Sequence, residues 1–258
     1  RSLLEKPSVL GANVTVPYKR AVFELVDELT PIARRVGAVN TLFWGNEDRS
    51  ILVGDNTDAQ GFLMDVGEAI PLTALNSAVI LGAGGAARAV AVALIDQVNS
   101  LTVINRTAER AEKLVEGLQQ DLSDTQSVQS FRWPEDRRDC KGELLACFRR
   151  SQLIVDTTSI GIEEKQEGSV SLSQTAPFSS KQHMELYERL PFDGLGKDVL
   201  CYDLKYGLET PFLALARKRQ YAARDGLGML VRQGALSFER WTGRTAPLVE
   251  MYAAVGLP

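Results

Sequence analysis

Short apolar runs alternate with helical patterns along most of the chain, and this alternation predicts an α/β protein. Residues 78–81, 101–104, 152–156 and 199–203 have the unbroken apolar character of buried strands. Helical spacing of apolar residues follows three of these runs, over residues 85–97, through Ala111 to Leu118 and over 210–219. Strands that alternate with helices in this way predict a sheet with parallel strands.

The first third of the chain predicts a smaller α/β unit. It opens with a strand at 10–16 and a helix that Pro17 begins, then a short helix capped at Thr30-Pro31 that ends near Gly37. Residues 38–44 and 50–53 alternate like the strands of a hairpin, and a helix follows Asp58. Two more helices, 226–241 and 247–254, end the chain.

Two stretches lack a clear period and are predicted to be surface insertions. Residues 121–138 are polar and weakly patterned, and residues 163–197 are rich in Ser, Gln and Glu. The only histidine, His183, lies in the second of them, so we expect it to be a solvated surface residue rather than a base.

Composition limits the function classes. A chain of 258 residues with 45% hydrophobic and 24% charged residues is typical of a soluble globular protein with a real core. A net charge of −4 does not favour direct nucleic-acid binding, and there is neither a membrane-length apolar run nor a signal peptide. Three cysteines without metal-ligand spacing indicate free thiols in a reducing, cytoplasmic compartment, and no metal site is expected. The start at Arg1 suggests one region of a larger multidomain chain.

The strongest local motif is a glycine-rich turn between a strand and a helix. Gly82, Ala83, Gly84, Gly85, Ala86 and Ala87 follow the apolar run 78–81 and place small residues in the G-x-G-x-x-A pattern. Gly82 permits a tight turn, Gly84 lets the backbone approach a pyrophosphate, and the helix start offers free N–H groups. A purely structural glycine turn is the alternative.

The end of the second strand favours NADP over NAD. NAD-binding chains place an acid there for the ribose 2′-hydroxyl, whereas this chain has Asn105-Arg106-Thr107, with Arg110 one helical turn later. Arg106 and Arg110 are suited to a 2′-phosphate. The alternative is two solvated arginines.

Lys19 and Asp58 are the best candidates for moving a proton. Each follows a polar strand end, in 13–19 and 54–58 respectively, and a lysine beside a carboxylate can exchange a proton while it stays oriented. On spacing alone, a surface salt bridge explains the two residues equally well.

Six blocks in order resemble the shikimate dehydrogenase family. They are 13–19 (NVTVPYK), 37–41 (GAVNT), 54–61 (GDNTDAQG), the glycine turn, 105–107 (NRT) and 226–233 (GLGMLVRQ). The resemblance implies a Rossmann-type NADP-binding domain at 69–225 and a smaller, discontinuous α/β substrate domain at 1–68 and 226–258, with substrate held between them. It also implies the NADP-dependent, reversible reduction of 3-dehydroshikimate to shikimate in aromatic amino-acid biosynthesis.

The resemblance assigns roles residue by residue. It implies that Lys19 and Asp58 form the catalytic pair. The small-molecule substrate would be bound by Asn13, Thr15, Asn40, Tyr206 and Gln233. The cofactor would be bound by Gly82, Ala83, Gly84, Gly85, Ala86, Asn105, Arg106, Thr107, Arg110 and Thr158, with Gly226 and Met229 beside the nicotinamide.

Three departures from the family pattern keep other functions open. The family's opening strand and Ser-x-Ser clamp have no counterpart, Asp156 stands where the family often has Asn, and Gly207-Leu208 follows Tyr206 in place of Asn-Pro. A quinate/shikimate dehydrogenase is one alternative. The other is a non-catalytic, ligand-sensing module like the quinate-pathway repressors.

Overall fold

A computed structural model describes residues 4, 6, 8–161 and 181–257 of the chain. It divides into two compact units, the first made of 1–72, 88–96 and 227–258 and the second of 73–87 and 97–226. The helix after the glycine turn therefore contributes to both units. Within the described residues, none of the helices is long and apolar enough to cross a membrane.

The described residues form ten strands, ten α-helices and four short 3-10 helices. The strands are β1 (Gly11–Asn13), β2 (Glu28–Leu29), β3 (Thr41–Trp44), β4 (Leu52–Asp55), β5 (Ser77–Leu81), β6 (Ser100–Asn105), β7 (Ser127–Arg132), β8 (Leu153–Asp156), β9 (Leu200–Asp203) and β10 (Ala222–Asp225). The α-helices are α1 (Lys19–Phe23), α2 (Pro31–Val36), α3 (Asp58–Ala69), α4 (Gly85–Ile95), α5 (Ala108–Glu116), α6 (Gly142–Arg150), α7 (Lys181–Glu188), α8 (Pro211–Lys218), α9 (Leu227–Thr242) and α10 (Leu248–Ala254). The 3-10 helices are Leu72–Ala74, Gln119–Asp121, Arg137–Asp139 and Phe192–Gly194.

The first unit is built on a four-stranded mixed sheet in the order β1-β3-β4-β2. The predicted hairpin is confirmed: β3 and β4 are antiparallel, with Thr41 opposite Asp55. The predicted helix before it is also confirmed, because the Thr30 hydroxyl accepts from the Ala33 N–H and Gly37 ends the helix at a φ of +68°. The cap at Thr30 and the left-handed residue Gly37 therefore determine where α2 begins and ends before the chain enters β3.

The second unit contains a six-stranded sheet in the order β10-β9-β8-β5-β6-β7, with every neighbouring pair parallel. Taken in chain order, this is the 3-2-1-4-5-6 arrangement of a Rossmann fold, which confirms the predicted fold class. The order reverses between β5 and β8, so the carboxyl ends of these two strands lie side by side at the switch point where such folds bind ligands.

The prediction of a surface insertion at 121–138 is wrong. Residues 127–132 form β7, which pairs in parallel with β6 along its whole length. The strand lies at the edge of the sheet, where its side chains are half-buried or exposed, and so it lacks the apolar run of a central strand.

The prediction of a second surface insertion, at 163–197, is also wrong for the part that the structure describes, residues 181–197. Residues 181–188 form α7, and Tyr187, Leu190, Phe192 and Leu195 are buried in the core of the second unit. His183 is half-buried rather than solvated. The remainder of the predicted insertion, 163–180, lies outside the described residues.

Candidate functional site

Lys19 and Asp58 form an ion pair in the first unit. Each is the first residue of a helix, α1 and α3, and Lys19 Nζ lies 2.8 Å from Asp58 Oδ2. The two side chains keep 28% and 15% of their surface exposed, so a small molecule can reach both. The Lys19 carbonyl accepts from the Val39 N–H at 2.9 Å, which ties the lysine to the segment before β3.

Asn40 fixes the other oxygen of the same carboxylate. Its Nδ2 donates to Asp58 Oδ1 and to Thr57 Oγ1, both at 2.9 Å, and to Gln233 Oε1 at 3.3 Å. Its Oδ1 accepts from the Thr57 N–H at 2.8 Å and from the Thr41 hydroxyl at 2.9 Å. A backbone donor therefore sets which end of the amide faces Asp58.

A group of hydroxyls lies behind Asn40. Ser237 Oγ is 2.8 Å from Thr41 Oγ1, accepts from Asn13 Nδ2 at 3.0 Å and donates to the Gln233 carbonyl at 3.0 Å. Thr41 and Ser237 are completely buried. Because buried polar groups keep one geometry when all are paired, this group holds Asn13, Asn40 and α9 in a fixed relation.

Helix packing positions Gln233. A side-chain carbon placed at Gly61 on α3 would lie 2.8 Å from the Gln233 N–H nitrogen on α9. The lack of a side chain at Gly61 therefore lets α9 approach α3, which carries Asp58, closely enough for Gln233 to reach Asn40.

A buried carboxylate supports the end of β4, three residues before Asp58. Asp55 accepts from the Thr30 hydroxyl at 2.5 Å, the Asn56 N–H at 2.8 Å and Arg240 Nε at 2.9 Å. This arrangement links the start of α2, the end of β4 and α9.

The structure brings together most, but not all, of the residues predicted to bind substrate. Asn13 and Gln233 both hydrogen-bond to Asn40, which contacts Asp58, while Thr15 is exposed four residues before Lys19. Tyr206 belongs to the second unit, where its side chain is exposed. Residues Thr41, Thr57 and Ser237 were not assigned roles from the sequence; Ser237 lies one turn from Gln233 on α9, which was the one available signal.

The glycine turn in the second unit has the geometry that a bound phosphate needs. Gly82 adopts a φ of +107°, and a side-chain carbon there would lie 2.5 Å from Thr157 Oγ1. At Gly84 and Gly85 an added carbon would meet no described protein atom within 4 Å. Gly85 begins α4, so the open side of this turn faces the N–H groups of a helix start. The predicted residues Ala83 and Ala86 flank this open side.

The next strand end presents two free cations. Asn105 Nδ2 donates to the Thr107 carbonyl at 2.8 Å and so shapes the turn into α5. Arg106 and Arg110 are exposed, and no ion pair joins either to another described residue. The turn can therefore hold a dianionic phosphate, as the sequence predicts for NADP.

Gly226 is a glycine for a structural reason. A side-chain carbon there would collide with the backbone of Leu204, and Gly226 N–H donates to the Lys205 carbonyl at 3.0 Å. Met229 lies half-buried in the first turn of α9.

A second Lys–Asp pair lies at the carboxyl ends of β8 and β9. Lys205 Nζ is 2.7 Å from Asp156 Oδ2 and 3.1 Å from Asp203 Oδ1, and Lys205 is 10% exposed while both carboxylates are fully buried. The Tyr187 hydroxyl donates to Asp156 at 2.6 Å and the Thr210 hydroxyl to Asp203 at 2.6 Å. We call these five residues the β8–β9 cluster.

Burial and mutual charge shift the pKa values of this cluster. Burial, together with the charge of Asp156, raises the pKa of Asp203 to about 6. Burial next to Asp156 also raises the pKa of Tyr187 well above its usual value. Burial by itself would lower the pKa of Lys205, but the two carboxylates outweigh it and the pKa is raised. Lys205 is therefore a fixed cation.

Across the ranges that the structure describes, no three His, Cys, Asp or Glu side chains form a group that could hold a metal ion. Cys140, Cys147 and Cys201 are buried free thiols, and burial raises the pKa of Cys201 to about 12.

Comparison with known proteins identifies three family regions along the chain. Residues 2–42 match the shikimate dehydrogenase substrate binding domain. Residues 68–132 match the shikimate / quinate 5-dehydrogenase family, and residues 226–255 match the shikimate 5′-dehydrogenase C-terminal domain.

Individual relatives agree with these matches. A shikimate dehydrogenase (NADP(+)) of Moorella thermoacetica is 40% identical over 243 residues, covering 93% of this chain and 72% of the relative. The Thermus thermophilus shikimate 5-dehydrogenase structure in complex with NADP(H) and shikimate has a TM-score of 0.72 at 32% identity, covering 97% of this chain and 79% of its own. A quinate dehydrogenase from Corynebacterium glutamicum in complex with NAD has a TM-score of 0.73 at 26% identity, covering 98% of this chain and 80% of its own. The chain belongs to the shikimate dehydrogenase family.

Proposed function

We propose that the protein is an NADP-dependent oxidoreductase that reduces 3-dehydroshikimate to shikimate, reversibly. The observation that carries this proposal is the accessible Lys19–Asp58 pair, whose carboxylate Asn40 fixes from the other side. The similarity to a shikimate dehydrogenase (NADP(+)) at 40% identity supports the substrate and the cofactor together.

NADPH, when bound, supplies the hydride that reduces the substrate carbonyl carbon. The residues that would hold it are Gly82 to Ala86 at the pyrophosphate, with Asn105, Thr107, Arg106 and Arg110 at the adenosine ribose and its 2′-phosphate. Thr158, Gly226 and Met229 would lie towards the nicotinamide end. The open side of the glycine turn and the two unpaired arginines fit this group.

The chain's own residues manage the proton and the orientation of the ring. During reduction, the Lys19 ammonium donates a proton to the substrate oxygen. Asp58 orients that ammonium at 2.8 Å. In the reverse reaction, the Lys19–Asp58 pair takes up the proton of the substrate hydroxyl. Asn13, Thr15, Asn40, Tyr206 and Gln233 bind the substrate hydroxyls and carboxylate. A substrate that lacks one of these hydroxyls would forgo the hydrogen bond made there, which gives selectivity.

The enzyme assay uses purified protein with shikimate and NADP and follows the absorbance of the reduced cofactor. We expect turnover in the wild type and in Lys6→Met, an exposed-lysine control in the same unit. Lys19→Met should lose turnover by about 10³-fold, the size of a general acid–base contribution. Absence of turnover in the wild type above the Lys19→Met level would overturn the proposal.

Cofactor choice is tested at Arg106. Arg106→Gln should raise the KM for NADP by about 10-fold, the loss of one charge-assisted contact, and leave the KM for NAD unchanged. Arg217→Gln, an exposed arginine of the second unit that pairs with Glu209, is the control. Equal effects on both cofactors would contradict a 2′-phosphate contact.

The same purified protein also tests the two alternatives, a quinate/shikimate dehydrogenase and a ligand-sensing module. Similarity to a quinate dehydrogenase with bound NAD makes quinate and NAD necessary arms of the assay, and we expect shikimate with NADP to give the higher kcat/KM. A ligand-sensing module would bind shikimate or quinate in calorimetry without any reduction of NADP.

A further inference from the structure

The β8–β9 cluster holds one loop from three directions. The Thr158 N–H donates to Asp156 Oδ1 at 3.0 Å, and the Thr158 carbonyl accepts from Lys205 Nζ at 2.9 Å. The Thr158 hydroxyl lies 3.0 Å from the Tyr187 hydroxyl. Both peptide groups that flank Thr158, as well as its side chain, are therefore bound to the cluster.

The same loop packs on the glycine turn. The N–H and the hydroxyl of Thr157 both bond to the Leu81 carbonyl, at 2.8 Å and 2.7 Å. Leu81 ends β5, and Thr157 Oγ1 occupies the space that a side chain at Gly82 would need. The position of Thr157 and the conformation of Gly82 are therefore set together.

Charge explains why Lys205 matters most in this arrangement. Two carboxylates, Asp156 and Asp203, are fully buried, and Lys205 is the cation that contacts both. Without it, two buried negative charges would keep only the hydroxyl and N–H donors that the described residues supply. That arrangement is strongly unfavourable and is relieved only if the loop moves or a carboxylate takes up a proton.

We propose that Lys205 is a positioning residue of the cofactor site: together with Asp156 it fixes the Thr157–Thr158 loop against the Gly82 turn and so sets the phosphate-binding conformation. The inference rests on the proposed function, since it places NADP at that turn. Lys205 acts through Thr158 and Thr157, and it makes no contact of its own with the reacting atoms.

The test compares Lys205→Met, Asp156→Asn/Lys205→Met and the control Lys218→Met. Lys218 is an exposed lysine of α8, 3.9 Å from Glu188. NADP binding is measured by calorimetry, KM for both substrates by assay, and hydrogen exchange on peptides that cover 157–161. Lys205→Met should weaken NADP binding by about 10-fold or more, leave the KM for shikimate within about 2-fold and speed exchange at 157–161. Lys218→Met should behave as wild type.

The double variant makes the result specific to charge. Asp156→Asn removes one of the two negative charges that Lys205→Met leaves unpaired, so the double variant should recover most of the lost affinity even though it lacks both members of the pair.

The outcomes separate this inference from the proposed function. Wild-type protein that binds no NADP would overturn the function itself. Wild-type binding with unchanged affinity in Lys205→Met, or an equal rise of the KM for shikimate and NADP, would overturn the role of Lys205 alone. If Lys205→Met fails to fold, Tyr187→Phe takes its place, because it removes the contacts of the Tyr187 hydroxyl to Asp156 and Thr158. Normal NADP affinity with unchanged exchange at 157–161 in Tyr187→Phe would then overturn the control of this loop by the β8–β9 cluster.

Discussion

The two Lys–Asp pairs have nearly the same length and opposite surroundings. Lys19–Asp58 spans 2.8 Å and keeps 28% and 15% of its side-chain surface exposed, whereas Lys205–Asp156 spans 2.7 Å with 10% and none. The first carboxylate is shared between a lysine and an amide; the second is enclosed by a lysine, a tyrosine and a backbone N–H. The distance between the lysine nitrogen and the carboxylate oxygen therefore does not distinguish the two pairs. Their solvent exposure does: the exposed pair is suited to chemistry and the buried pair to stabilising the fold.

The largest expected effect is on turnover at the exposed pair. Lys19→Met should lower kcat by about 10³-fold, while the free energy of unfolding changes by less than about 1 kcal/mol because partly exposed pairs contribute little stability. The measurement is kcat together with urea unfolding of the same preparation. A decrease in the free energy of unfolding as large as the increase in the activation free energy would show that this pair is structural as well.

The buried pair, Lys205–Asp156, should affect stability strongly and turnover weakly. Lys205→Met should lower the free energy of unfolding of the second unit by about 3 kcal/mol, because it leaves buried carboxylates uncompensated. At saturating NADP and shikimate, kcat should stay within about 3-fold of wild type. Urea unfolding and saturated rates check both statements, and a kcat loss like that of Lys19→Met would remove the distinction between the two pairs.

Two tyrosines compare a hydrogen bond to a buried carboxylate with a hydrogen bond to a backbone carbonyl. Tyr187→Phe removes a donor to a carboxylate at 2.6 Å and should cost about 2 kcal/mol. Tyr221→Phe removes a donor to the neutral Phe192 carbonyl at 2.8 Å and should cost about 1 kcal/mol. Equal losses in chemical denaturation would contradict the larger contribution expected of the contact to the Asp156 carboxylate.

The last expected effect is a dependence of stability on pH. The folded-state pKa of Asp203 is about 6, above its usual value of 3.8, so between these values the folded protein binds a proton that the unfolded chain does not. The contribution of Asp203 to stability should therefore increase as the pH falls from 7 to 4. The check is the difference in unfolding free energy between wild type and Asp203→Asn across this range; a difference that decreases would refute the shift.

Local sequence signals predicted those parts of the fold that local chemistry determines. The cap at Thr30, the left-handed stop at Gly37 and the Gly82 turn each follow from one or two residues. The central strands follow from their apolar runs. The edge strands β7 and β10 were not predicted, because strands that are half-buried or exposed on most positions carry no such run.

The candidate site divides in the same way. Lys19, Asn40 and Asp58 lie in short motifs, and the structure brings them within hydrogen-bond distance. Lys205 and Asp156 are 49 positions apart and meet only because β8 and β9 are parallel neighbours, a pairing that depends on sheet order. The sequence marked Asp156 as unusual but offered no partner for its charge.

The close contact at Gly61 has a consequence for engineering. The helix that carries Asp58 and the helix that carries Gln233 touch backbone to backbone at Gly61, so this contact sets the distance between them. A library that seeks larger substrates by varying residue 61 would therefore spread the helices and disturb Asp58 along with Gln233. Thr15 is exposed, and if it binds substrate as proposed, substitution there would alter substrate range while the helix pair stays intact.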